Sequence, residues 1–207
     1  MSKPRPATVG DRLIIIGAGT GGPQALMEIL PRFDSVFTGT IVVVQHMRPG
    51  FTRILAQNLS HACCLPVYEP KDGQALNCSE ILIVPGGTSF SLSRIEGLDK
   101  LMVGLEDVSD SQERINKRID EAMAAAADIY TRNCTGVLLS GMGDDGREGM
   151  RAIAEAGGAT LAQDEESSVV FDMPSAAIDA GVVHKALPLW NITDYILKGE
   201  GANANAA

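Results

Sequence analysis

The chain has 207 residues, 45% hydrophobic and 21% charged, with a formal charge of −9. That is enough apolar content for one substantial core, and an α/β domain of this size need not be divided. The acidic balance excludes general nucleic-acid affinity, which needs a basic surface, and no apolar stretch of membrane-spanning length or signal-peptide pattern points to insertion or export, so a cytoplasmic protein is expected.

A polar, proline-containing segment, Met1 to Gly10, precedes the first apolar run, and a strand is predicted over 12–17. It enters Gly17-Ala18-Gly19-Thr20-Gly21-Gly22-Pro23. Helix 22–31 should follow, because Pro23 in a first turn gives up an N–H that would lack a partner anyway. Such a turn points backbone N–H groups at one spot and suits a phosphate or an oxyanion. A second strand over 40–45 ends in Gln45-His46, and a helix is expected over 51–60.

Between 66 and 106 the apolar runs shorten and are punctuated by Asp72-Gly73, Gly86-Gly87 and Gly97, which predicts an antiparallel excursion on the sheet edge. A strand over 80–84 falls inside it. A long helix is predicted over 110–131, opened by Asp110 and Glu113 as a capping box, with Ile115, Ile119, Met123, Ala126 and Tyr130 facing the sheet. Strand 136–140, helix 146–156, strand 158–162 and helix 188–197 complete the alternation. The fold class expected is α/β, with a doubly wound, mostly parallel sheet and helices on both faces. Residues 1–198 are read as one domain and the Ala- and Asn-rich stretch 199–207 as a disordered tail.

Two ligand classes compete for the first glycine turn. Gly17, Gly19 and Gly22 satisfy the dinucleotide pattern G-x-G-x-x-G, but the second strand ends in Gln45-His46 where an acid should hold a ribose hydroxyl. That absence argues against a nicotinamide cofactor. Three further strand ends carry polar or glycine-rich segments, Gln45 to Thr52, Val84 to Gly87 and Ser140 to Gly146. In an open parallel sheet the C-terminal strand ends share one edge, so His46, Asp145 and the Gly19 turn are expected to converge.

Over roughly Leu13 to Leu197 the chain resembles the catalytic domain of the CheB-type chemotaxis methylesterases. The resemblance rests on Gly17 to Gly22, on Gln45-His46-Met47 with Pro49-Gly50-Phe51-Thr52, and on Gly141-Met142-Gly143-Asp144-Asp145-Gly146. Ala162-Gln163-Asp164-Glu165 and Met173-Pro174 support it. It implies hydrolysis of glutamate methyl esters, and deamidation of glutamines, on the cytoplasmic helices of methyl-accepting chemoreceptors, with no cofactor and no metal. It also implies a Ser, His, Asp set, in which the imidazole takes the serine proton and the carboxylate orients the imidazole. By resemblance, His46 is the base and Asp145 the orienting carboxylate. The oxyanion donors are backbone amides near Met142 and in the turn at Gly21, with Thr20 as a polar neighbour.

The family's serine falls on Gly19. Glycine supplies no hydroxyl, and Thr20 projects in another direction. Gly19 is therefore read as natural loss of the nucleophile, as an inactivating substitution, or as a site where His46 activates water. A second departure lies at Lys117-Arg118-Ile119-Asp120, where the family usually shows Pro-Ser-Val-Asp. Two functions stay open: a methylesterase, active or impaired, and a domain that binds a receptor helix or another, related signalling protein without turnover.

Asp145 is also a candidate N-cap for the helix beginning near Gly146. Asp144 and Asp164-Glu165-Glu166 read as a solvated rim, His61 and His184 as surface or structural residues. The four cysteines lack metal or redox spacing and read as reduced thiols. The family commonly joins a phosphoacceptor receiver domain to its catalytic domain; the chain before Leu13 is too short for one, and no receiver domain is expected.

Overall fold

The computed structural model describes residues 7–8, 11–95 and 100–198; the predicted tail at 199–207, most of the N-terminal segment and Gly97 lie outside them. The first strand, β1 (Leu13–Ala18), is buried along its whole length, as are β2 (Thr40–Gln45) and β4 (Glu80–Ile83). Burial on both faces explains why these strands are unbroken apolar runs rather than alternating ones. With β3 (Val67–Tyr68), β7 (Cys134–Leu138), β8 (Ala159–Gln163) and β9 (Lys185–Leu187) they form a seven-stranded parallel sheet in the order β3-β4-β2-β1-β7-β8-β9.

Alternate residues of one strand feed two separate cores. Ile14 and Ile16 join the layer containing α1 (Gly22–Ile29), α2 (Phe51–Ala62) and α7 (Leu189–Leu197). Leu13 and Ile15 join the opposite layer, which holds α4 (Arg118–Tyr130), α5 (Arg147–Glu155) and α6 (Asp172–Asp179). The doubly wound, mostly parallel sheet expected from the sequence is the one observed. The antiparallel excursion is a ribbon of its own, β5 (Thr88–Arg94) with β6 (Leu101–Asp107), detached from the main sheet and packed through Phe90, Leu101 and Val103 onto the α4 layer.

The long helix predicted over 110–131 is two helices. A single turn, α3 (Gln112–Ile115), starts two residues later than expected, with Ser111 accepting from the Arg114 amide, and the chain breaks at Asn116-Lys117 before α4. Ile115 is only partly buried, whereas Ile119, Met123, Ala126 and Tyr130 are fully enclosed. Apolar periodicity thus belongs to α4 alone. Its first turn is fixed by contacts distant in sequence, described below. The short elements β3, α6 and β9 give no sequence signal: β3 and β9 are two and three residues long, and α6 carries Pro174 within its first turn.

Strand β1 lies between β2, reached by the first crossover, and β7, reached after the chain has returned across the sheet. This is the point where the winding direction reverses. The segments after β1, β2 and β7 open there, and in such sheets this crevice receives the ligand.

Candidate active site

Backbone hydrogen bonds hold the three strand ends level. The His46 amide donates to Ala18 O at 2.8 Å, and the Gly19 amide donates to Ser140 O at 2.9 Å. Gln45 reinforces the junction: its Nε2 donates to Gly19 O at 2.8 Å and to His46 O at 3.2 Å. The amide that stands where a dinucleotide fold needs an acid is therefore turned inward, onto the glycine turn. Its Oε1 is buried without a donor among the described residues.

His46 Nε2 meets Asp145 Oδ2 at 2.5 Å, with the imidazole one-quarter exposed and the carboxylate almost wholly enclosed. Asp145 has further duties. Its Oδ2 accepts from the Ile119 amide at 3.0 Å and its Oδ1 from the Asp120 amide at 2.9 Å. These are amides of the first turn of α4, which have no intrahelical acceptor, so Asp145 caps α4 from across the crevice. The expectation that it caps its own helix is corrected. Gly146, at φ 99°, is the N-cap residue of α5, and Asp145 sits one position too early to reach the α5 amides.

Asp120 takes that place. Its Oδ1 accepts from the Gly146 amide at 2.9 Å and the Gly149 amide at 2.7 Å. The two helices thus cap each other: the carboxylate before α5 serves α4, and the carboxylate in the first turn of α4 serves α5. Burial raises the pKa of Asp120 above the usual aspartate value, and the nearby charge of Asp145 adds to the rise, against the amides that favour its ionised form.

Residue 19 is the empty position. Gly19 lies outside the left-handed region, so its backbone accepts any side chain, but the space is tight. A Cβ there would lie 2.8 Å from Gly141 Cα, 3.2 Å from Met173 Sδ and 3.4 Å from the Met142 nitrogen. The Met142 amide therefore faces the place where a reacting group on residue 19 would stand, while the Met142 side chain is 70% exposed. Thr20 is exposed, and its carbonyl accepts from Ser140 Oγ at 2.7 Å. Gly21, at φ 87°, is the N-cap of α1 and makes the left-handed turn that a side chain would strain.

A cleft of about 380 Å³ opens beside His46, walled by Arg48, Pro49, Ser109, Asn116 and Arg118. Arg118 is 1% exposed; its guanidinium donates to the carbonyls of Thr88, Gln45 and Pro85. Burial lowers its pKa, opposed by the charge of Asp145.

Sequence reasoning located Gly19, Thr20, Gly21, His46, Met142 and Asp145, and the chain brings them to one sheet edge. It missed the inward turn of Gln45, the cap made by Asp120, and Arg118. Only Asp120 carried a signal, as the matched acid of a family block. His184 is structural, with Nδ1 bonded to Thr160 Oγ1 at 2.6 Å, and His61 Nδ1 bonds the Gln57 carbonyl within α2 at 2.7 Å. Asp144 pairs with Arg147 on the surface, and none of the four cysteines is in a disulfide among the described residues. Among the described residues no helix is long and apolar enough to cross a membrane.

The description CheB methylesterase fits a family whose pattern matches residues 14–196. A protein-glutamate methylesterase/protein-glutamine glutaminase of Carboxydothermus hydrogenoformans is 42% identical over 187 residues, covering 90% of this chain and 55% of that protein. A relative of the same description from Thermotoga maritima is 36% identical over 194 residues, covering 94% of this chain and 55% of that one. The crystal structure of the Thermotoga maritima CheB methylesterase catalytic domain superposes with a TM-score of 0.85 at 36% identity, covering 91% of this chain and 98% of that domain. The chain spans about half the length of the curated relatives it matches.

Proposed function

The chain belongs to the CheB methylesterase family, and from that premise we propose that it recognises the methylated glutamyl segments of a chemoreceptor in the crevice beside His46 while hydrolysing them poorly. The observation that carries this reading is the His46–Asp145 pair at 2.5 Å, standing beside a position 19 that has no side chain.

The chemistry follows from which imidazole nitrogen is engaged. With Asp145 accepting from Nε2–H, the lone pair lies on Nδ1, which is the nitrogen able to take a proton from an attacking hydroxyl. The Met142 amide and the amides of the glycine turn are donors placed for the oxyanion of a tetrahedral intermediate. Base, orienting carboxylate and oxyanion donors have counterparts here; the nucleophile has none. Binding and oxyanion stabilisation alone leave only a small residue of serine-hydrolase catalysis.

The same crevice suits glutamine deamidation, which passes through the same kind of intermediate and fails for the same reason. The test is single-turnover hydrolysis of a methylated receptor fragment, measured beside its capture by the immobilised chain. Capture with no methanol released above background is the expected result. Full turnover would overturn the impairment and favour water activated by His46; failure to capture the fragment would overturn the receptor reading.

A further inference from the structure

We propose that the cleft beside His46 binds a free carboxylate, so that it holds a glutamyl side chain in its acid form in preference to the methyl ester or the amide. The proposal rests on the reading of the crevice between the glycine turn and His46 as the place where a glutamyl segment docks; the cleft adjoins that crevice at His46, and the proposal adds which chemical state of the segment is retained.

The charge of the cleft runs against the charge of the molecule. The chain carries 26 acidic and 17 basic side chains, yet the cleft walls include Arg48, Arg118 and His46 and no carboxylate. Four exposed arginines elsewhere are neutralised, Arg32 by Asp194, Arg114 by Glu106, and Arg147 and Arg151 by Glu148, whereas the exposed Arg53, Arg94 and Arg132 lie outside any such cleft. Arg48 and Arg118 make no ion pair among the described residues. For Arg118 this matters most, because it is 1% exposed and water cannot solvate its charge.

Carbonyl oxygens of Thr88, Gln45 and Pro85 satisfy part of the Arg118 guanidinium but bring no negative charge. The acidic groups whose charge reaches Arg118 are Asp145, the stronger, and Glu121; Asp145 already serves His46 and two α4 amides with its oxygens. Asp145 is therefore shared between Arg118 and the imidazole. An incoming anion would meet the exposed Arg48 directly, with the field of Arg118 behind the wall. An ester or a carboxamide of the same shape offers oxygen acceptors without the charge. Hydrogen bonds that gain a charged partner are roughly twice as strong as neutral ones.

The arrangement also fits the absence of a nucleophile. In a working esterase, a site that favours the carboxylate over the ester slows release of product. At a site with glycine at position 19, where turnover is already slow, preference for the acid adds recognition of the demethylated segment to that of the methylated one.

The experiment uses three small probes, N-acetylglutamate α-amide, its γ-methyl ester and the glutamine counterpart, each titrated into the full chain. Binding is read from NMR shifts of His46 and of arginine Nε–H groups. The acid should bind roughly tenfold tighter or more than either neutral probe, and added salt should shrink the difference. Arg48→Gln should remove most of the preference; Arg118→Gln should do so more completely, and because it sits in the core, Arg48→Gln carries the test if that variant does not fold. Equal binding of the three probes, tighter binding of the ester, or no binding of the acid overturns the proposal. Acid binding without capture of a receptor fragment sinks the receptor reading alone, and capture without acid preference sinks this proposal alone.

Discussion

The two halves of the crevice are built to different standards. On one side, Asp145 joins His46 to α4, and Asp120 returns the favour to α5, with four amide contacts between 2.7 and 3.0 Å. On the other side, Gly19 contributes its backbone to the turn and nothing to chemistry. The difference teaches which residues of such a site the fold itself would keep if turnover were lost. A carboxylate that caps a buried helix is retained by the fold, whereas a serine hydroxyl at the turn supports nothing else. Persistence of Asp145 is therefore weak evidence for activity.

That contrast can be broken by substitution. Asp145→Ala should destabilise the chain most, by about 3 kcal/mol in denaturant unfolding, because it orphans two α4 amides beside a buried arginine. Asp120→Ala should follow at about 2 kcal/mol, through loss of the α5 cap. His46→Ala should cost less than about 1 kcal/mol, since Asp145 keeps both amides and the imidazole site is open to water. Equal losses for the histidine and the two aspartates would mean that the carboxylates are held by the imidazole rather than by the helices.

Acidity offers a finer test of the same network. The Asp120 carboxyl titrates above the usual aspartate value in the folded chain, so between that value and its folded pKa the folded state holds more protons than the unfolded one. Its contribution is fully present below the unfolded pKa and is lost as pH rises through the folded pKa. Comparing unfolding of the native chain with Asp120→Asn across the mildly acidic range should show stability of the native chain falling relative to the variant as pH increases. A flat difference would place Asp120 in solvent-like surroundings.

The sheet was legible because β1, β2 and β7 are buried along their whole length, carry mostly apolar residues and end in glycine or polar turns. The site was legible for a related reason, since parallel strands must deliver their ends to one edge. What escaped was contact between residues far apart in sequence. Asp145 reaches amides some 25 residues away, and nothing local distinguishes that cap from one on its own helix. The break at Asn116-Lys117 escaped for the same reason, because α4 begins where Asp145 caps it and not where the local pattern would start a helix. Gln45 read as a missing acid, but its role depends on how its amide folds back onto Gly19.

The most direct test of the account is hydrolysis of a glutamate methyl ester by Gly19→Ser, measured against the unaltered chain and against Gly19→Ser combined with His46→Ala. The new Cβ would stand 2.8 Å from the backbone Cα of Gly141, too close for the glycine turn and the Gly141 segment to keep their present places, so each variant is first shown to fold. The account predicts that serine raises the rate on the order of 10³-fold or more, and that loss of His46 removes the gain. A folded, ligand-binding Gly19→Ser chain with no gain, or an unaltered chain already as fast, would contradict it.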